Sequence, residues 1–241
     1  MIPKIIHYCW FGRNPLPSLA IQCIESWKKY FPDYEIKEWN EDNFDVNIIP
    51  YTSEAYKAKK YAFVSDYARF WILYNYGGLY FDIDVEVIRP MNDIIEKGAF
   101  MGFESEGTGC NPGLGLGCSL GHGLLKKMLD LYGTLSFVTS KDNEFKYKTI
   151  VEYTTEVLVE HGLKKINETQ LIEGFYIYPN DYFNPINIIT KRLYITNNTR
   201  SIHHFAASWV ESSFKEKIKK VIRNIIPQNI LLKYNKLKTL Q

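Results

Sequence analysis

The stretch that most constrains the fold of this 241-residue chain is residues 79–88, LYFDIDVEVI. Apolar and polar residues alternate there with a period of two, the signature of a half-buried strand. Leu79, Phe81, Ile83, Val85 and Val87 would share one face, and Tyr80, Asp82, Asp84 and Glu86 the other. Arg89-Pro90 closes the run, because proline cannot donate to a ladder. Immediately upstream, residues 52–76 read as one or two helices, with Ser65 a plausible cap and Gly77-Gly78 a stop. A helix feeding directly into a strand is the unit of an α/β domain.

The rest of the chain keeps that rhythm. Residues 4–11 (KIIHYCWF) are rich in strand formers; residues 19–30 carry apolar side chains at helical spacing, at Leu19, Cys23, Trp27 and Tyr30; and residues 35–39 form a second strand. Residues 102–123 are glycine-rich and expected to be mostly loop. Residues 124–131 and 149–160 look helical, and short strands are expected at 175–178, 194–196 and 201–205. The α/β domain is expected to span residues 1–210. Beyond it, residues 214–226 place Phe214, Ile218, Val221, Ile222, Ile225 and Ile226 on one helical stripe with lysines elsewhere, so 211–241 reads as a basic amphipathic tail.

Charge divides the same way. The whole chain carries +2, but 211–241 holds eight Lys/Arg against two Glu, leaving 1–210 at −4. An acidic body argues against nucleic-acid binding. The tail suits either an anionic membrane surface or packing against protein. No run of apolar residues approaches the ~18 needed to span a bilayer, and the N-terminus lacks the layout of a secretion signal, so a cytoplasmic location is the expectation, with peripheral contact at the inner face of the membrane. Cys9, Cys23, Cys110 and Cys118 are too scattered for a disulfide framework.

Two aspartates at i and i+2 on one strand face repel unless they are exposed or bridged by a cation, and hard divalent ions take carboxylate and phosphate oxygens together. The functional reading of Asp82 and Asp84 is therefore a metal that clamps a diphosphate leaving group; the bland reading is two solvated carboxylates. Asp66 and Arg69, three apart on the upstream helix, share a face, as a surface ion pair or as contacts to a donor. An apolar strand ending in DxD also opens haloacid-dehalogenase-like phosphatases, but Glu86 stands where that motif needs Thr or Val.

The segment SDYARFWILYNYGGLYFDIDVEVIRP, the opening IPKIIHYCWFG and the late SIHHFAASW together resemble the DxD sugar-binding glycosyltransferases of family 32, which include bacterial capsule enzymes and fungal mannosyltransferases; the large clostridial glucosylating toxins are more distantly similar. The resemblance implies a GT-A-type nucleotide-binding sandwich: a central mixed, mostly parallel sheet flanked by helices, with the DxD at the end of a central strand. It also implies a retaining transferase that moves a sugar from a nucleoside-diphosphate donor, a UDP-sugar by expectation, to a glycan or lipid-linked oligosaccharide in capsule or surface-polysaccharide synthesis. Matched to the family's motifs, Asp82 and Asp84 are metal ligands, joined by His203 or His204, since neighbours in a strand face opposite ways and His203 is slightly favoured. Asp66, Arg69 and Asp84 are the catalytic set, and Trp10, Asn111, Ser208 and Trp209, with Asp66, Arg69 and Asp82, the donor contacts. Histidine in the ligand set favours Mn²⁺ over Mg²⁺. The competing reading is a non-catalytic glycan-binding protein on a decayed transferase fold.

Overall fold

A computed structural model describes residues 1–137, 148–187 and 190–206, and residues 1–205 form one compact unit. The tail expected over 211–241, together with Ser208 and Trp209, lies outside the described residues.

In chain order the elements are β1 (Ile5–Cys9), α1 (Ser18–Tyr30), β2 (Glu35–Trp39), α2 (Pro50–Lys57), α3 (Tyr61–Tyr76), β3 (Gly78–Tyr80), β4 (Val85–Val87), α4 (Asn92–Ile95), β5 (Ala99–Ser105), β6 (Gly109–Asn111), β7 (Leu116–Cys118), α5 (Gly123–Gly133), α6 (Ile150–Glu160), β8 (Gln170–Ile172), β9 (Phe175–Tyr178), α7 (Asn180–Phe183) and β10 (Ser201–His203). The main sheet is mixed, in the order β2-β1-β3-β7-β5-β9-β8 with β6 beside β5. β1, β2, β3, β5 and β9 run one way, and β6, β7 and β8 the other.

Alternation along the strands separates two cores. Tyr80, Met101 and Phe103 point into a core with Phe63, Val64, Phe70 and Leu73 of α3, whereas Ile6, Tyr8, Leu79 and Phe100 point into one with Cys23 and Trp27 of α1. A sheet that buries side chains on both faces must be covered by helices on both, which is the sandwich expected. α3 is buried around most of its circumference, as befits a helix inside the fold rather than on it. Gly77 ends it at φ 65°, a left-handed conformation that L side chains rarely adopt.

Four expectations need correction. The run 79–88 is not one strand: β3 stops at Tyr80 and β4 starts at Val85, with a tight turn between, closed by Val85 N–H donating to the Asp82 carbonyl at 3.0 Å. Asp82 and Asp84 therefore do not share a strand face. Ser65 caps nothing; it lies inside α3 and its hydroxyl donates back to the Tyr61 carbonyl. The glycine-rich stretch holds three strand segments, the end of β5 and all of β6 and β7. Residues 194–196 form no strand; the nearest pairing is an isolated bridge between Ile186 and Leu193. Among the described residues no helix is long and apolar enough to cross a membrane. All four cysteines are buried and free.

Candidate active site

β1 and β3 are parallel neighbours, with His7 opposite Tyr80. Their carboxyl ends therefore lie side by side, the position where open α/β sheets bind ligands. β1 runs out into Trp10 and β3 into Phe81-Asp82. The turn that follows is anchored from three sides: Phe81 N–H donates to the His7 carbonyl at 3.2 Å, Asp82 N–H to the Gly113 carbonyl at 3.0 Å, and His204 N–H to the Asp84 carbonyl at 2.9 Å.

Arg69 stands between two carboxylates. Its Nη2 lies 3.1 Å from Asp66 Oδ1, its Nη1 lies 3.3 Å from Asp82 Oδ2, and its Nε donates to the Ser65 carbonyl at 3.1 Å. A second approach, Nη2 to Asp82 Oδ1 at 3.3 Å, makes the Asp82 pairing forked. The guanidinium also stacks over the Tyr80 ring, 4.9 Å from its centroid, and the Tyr80 hydroxyl donates to Asp82 Oδ1 at 3.0 Å. The Arg69 and Asp66 side chains are only 4% and 10% exposed, so this is a buried charge cluster and not a surface ion pair, while Asp82 keeps 27% of its side chain open. Burial pushes the Asp66 carboxyl up to about 7; Arg69 pulls the other way and Asp82 adds to the rise. Arg69 stays charged: burial opposes it, and Asp82, Tyr80 and Asp66 outweigh that cost.

Asp84 belongs to a separate cluster. β4 pairs antiparallel with β10, placing His203 opposite Val85. His203 Nε2 lies 3.1 Å from Asp84 Oδ1, and its Nδ1 is buried with no hydrogen-bond partner. Burial disfavours the imidazolium, but the hydrogen bond and charge of Asp84 prevail and hold the group above its ordinary range. His204 points elsewhere, to Glu86 Oε2 at 2.9 Å. The two histidines thus divide as strand alternation requires, and only His203 reaches an aspartate of the motif.

Asn111 is committed to its loop: its Nδ2 donates to Glu104 Oε1 at 3.0 Å and its Oδ1 accepts from Gly113 N–H at 2.7 Å. Trp10 is half-buried, its indole N–H donating to the Asn14 carbonyl at 2.6 Å.

Three residues that sequence reasoning did not single out help build the site. Gly113 lies so close that a Cβ there would sit 2.0 Å from Asp82 Oδ2 and 2.7 Å from Arg69 Nη1. Tyr80 fixes Asp82. His7 ties β1 to the α3–β3 junction: Nε2–H donates to the Gly77 carbonyl at 3.0 Å, and Nδ1 accepts from Trp39 Nε1–H at 3.0 Å. The glycine of CNPGLG was the sole signal for the first, since glycines mark close backbone approach. The others needed strand register.

Comparison with known proteins adds family context. Residues 17–101, which contain Asp66, Arg69, Asp82 and Asp84, match the family described as "Glycosyltransferase sugar-binding region containing DXD motif". Inositol phosphoceramide mannosyltransferase 1 of Schizosaccharomyces pombe is 28% identical over 111 residues, covering 42% of this chain and 33% of that protein. An uncharacterized glycosyltransferase of Acanthamoeba polyphaga mimivirus is 28% identical over 200 residues, covering 78% of this chain and 77% of its own length. The chain spans about a third of the length of the S. pombe relative. Among solved structures, the PaToxG glycosyltransferase superposes with a TM-score of 0.50 at 20% identity, over 66% of this chain and 69% of that one. The chain thus has a GT-A-type fold, and its residues 17–101 are similar to the DXD-containing sugar-binding region of glycosyltransferases.

Proposed function

We propose that this protein is a metal-dependent, retaining glycosyltransferase that moves a sugar from a nucleoside-diphosphate donor, a UDP-sugar in the first instance, to a glycan or lipid-linked oligosaccharide of a cell surface. One observation carries the reading: Asp82, locked on the buried Arg69, and Asp84, paired with His203, occupy the turn at the carboxyl end of β3, beside Trp10 at the end of β1.

A divalent cation fits the residues present. Asp84 Oδ1 and His203 Nε2 are 3.1 Å apart, close to the edge of an octahedron with bonds of about 2.1 Å. A mixed oxygen and imidazole pair suits Mn²⁺ better than Mg²⁺. Among the described residues no group of three or more acidic, His or Cys side chains converges, and sites of this kind complete their shell with donor phosphates and water. When bound, the cation would offset charge developing on the nucleoside diphosphate.

The chain's own side chains account for the other tasks. Arg69 is a fixed positive charge in a low-dielectric setting, where it stabilises a departing diphosphate without reorganising. Its two carboxylate partners prevent it from swinging into solvent. Asp82, still partly open, is placed to accept hydroxyls of the donor, and Asp66 holds Arg69 from behind. The absence of Cβ at Gly113 keeps the approach to Asp82 clear. No carboxylate of the cluster is free of a structural commitment: Asp66 and Asp82 hold Arg69, and Asp84 holds His203. That favours same-face substitution, in which the acceptor attacks from the side the diphosphate leaves, over a covalent glycosyl-enzyme. The name of the S. pombe relative, an inositol phosphoceramide mannosyltransferase, supports a lipid-borne acceptor; the basic segment 211–241 would keep such an enzyme near a membrane surface.

The test is a panel of nucleotide sugars with Mn²⁺, scored for nucleoside diphosphate release. Release with one donor, lowered at least ~100-fold in Asp84→Ala, is the expected result. Equal release from wild type and Asp84→Ala, or none with any donor, would sink the proposal.

A further inference from the structure

Residues 190–198 are exposed without interruption, and they include three consecutive large apolar side chains: Leu193 at 48%, Tyr194 at 55% and Ile195 at 49%. They are not frayed. Asn187 N–H donates to the Arg192 carbonyl at 2.9 Å, Lys191 N–H to the Asn187 carbonyl at 2.8 Å and Tyr194 N–H to the Pro185 carbonyl at 2.9 Å, which ties residues 191–194 to residues 185–187 around the Ile186–Leu193 bridge. The base of the segment is pinned by the Thr196 hydroxyl, which donates to Asp181 Oδ2 at 2.8 Å, and by Arg89, which donates to the Thr196 carbonyl. The fold therefore holds a run of three large apolar side chains in solvent on a hydrogen-bonded frame, which marks an interaction surface.

Charge identifies the kind of partner. Lys191 and Arg192 adjoin the apolar run and have no carboxylate partner among the described residues. From 182 to 210 the sequence contains Lys191, Arg192 and Arg200 and not one Asp or Glu, although residues 1–210 as a whole are net acidic. Arg200 is already taken by Asp93 at 2.9 Å. Apolar side chains flanked by unpaired cations match the boundary of an anionic bilayer, where acyl chains lie beneath phosphate groups. A second copy of this segment would bring like charges together over too small an area for a stable dimer.

We infer that residues 190–196 dock on an anionic lipid surface, with Leu193, Tyr194 and Ile195 inserted and Lys191 and Arg192 at the phosphates. Their location gives the contact a use: Lys191 Nζ lies 5.7 Å from the Phe205 ring, which packs 4.2 Å from His203, the partner of Asp84. The lipid surface would thus border the candidate site. The docking itself does not depend on the transfer chemistry.

The test uses the full chain carrying Ile195→Cys, labelled with an environment-sensitive nitrobenzoxadiazole; the four native thiols are buried, which directs the label to position 195. Vesicles of phosphatidylcholine containing phosphatidylglycerol should shift the emission to the blue and brighten it, and pure phosphatidylcholine should not. Lys191→Gln with Arg192→Gln should lower partitioning on the order of tenfold, and Leu193→Ser with Tyr194→Ser should remove the response. Unchanged thermal melting verifies the fold, with Tyr194→Gln alone as the milder variant. Vesicle binding that leaves the label unchanged would assign docking to another segment and overturn the inference. So would a label already blue without lipid, one that turns blue as protein concentration rises, or the absence of any vesicle binding.

Discussion

Protonation of His7 should destabilise this protein in a pH window that the structure defines. The ring is fully buried, and its two bonds need the neutral tautomer: Nε2 must carry a proton for the Gly77 carbonyl, and Nδ1 must be bare to accept from Trp39. Burial is the main cause that lowers the group from 6.5 to about 4, with Lys37 adding to it and the bond to Gly77 opposing. Between those values the unfolded chain binds a proton that the folded one refuses, so this stability is complete above 6.5 and is lost as pH falls towards 4. The shift is worth about 3 kcal/mol in full, and about 2 kcal/mol between roughly pH 7.5 and pH 5. Asp66, raised to about 7, acts with the opposite sign over much of this range, so the wild-type curve alone would conceal the effect. The useful quantity is the difference from His7→Gln, which can still donate to Gly77 but does not titrate. Urea unfolding followed by tryptophan fluorescence at both pH values supplies it, provided the m-value is unchanged. At the higher pH the variant should be less stable by about 1–3 kcal/mol, for the lost Trp39 acceptor. At the lower pH that gap should close by about 2 kcal/mol. A gap that stays constant with pH would refute the lowered proton affinity of the buried ring.

Gly113→Ala places a methyl group against Asp82 and Arg69 and should cost about 1–3 kcal/mol with a loss of donor turnover, whereas Gly123→Ala, with nothing within 4 Å, should leave melting and turnover unchanged; calorimetry and nucleoside diphosphate release compare them. Arg69→Met leaves Asp66 and Asp82 facing each other without a cation and should cost about 3–5 kcal/mol in denaturant titration. Adding Asp66→Asn should recover part of that, and no recovery would argue against direct coupling through Asp66. Proton NMR of the first-formed product should show the donor's anomeric configuration retained, and trapping a glycosylated Asp or Glu would defeat same-face substitution.

Local patterning was enough to place β1, α1, β2, α6 and β9, because each depends on spacing within a few residues. It was also enough to bring out Asp66, Arg69, Asp82 and Asp84, since motif spacing survives whatever the backbone does between them. Period-two alternation failed at Ile83-Asp84 for a non-local reason: β4 leaves the main sheet to pair with β10, over a hundred residues later, and Asp82 spends its backbone N–H on Gly113. The glycines of 102–123 read as loop because loop propensity is local, while the reason Gly117 sits in a strand is that Phe100 and Leu79 leave no room for a side chain. The sequence by itself determined which groups could meet a charged donor, the alternation of helix and strand, and the likeness to a known family. Only the tertiary structure decided that Arg69 is buried between two carboxylates, that the two motif aspartates separate into different clusters, and that His203 and not His204 joins Asp84. Those outcomes rest on strand register and on contacts between residues far apart in the chain, which no window of neighbouring residues contains.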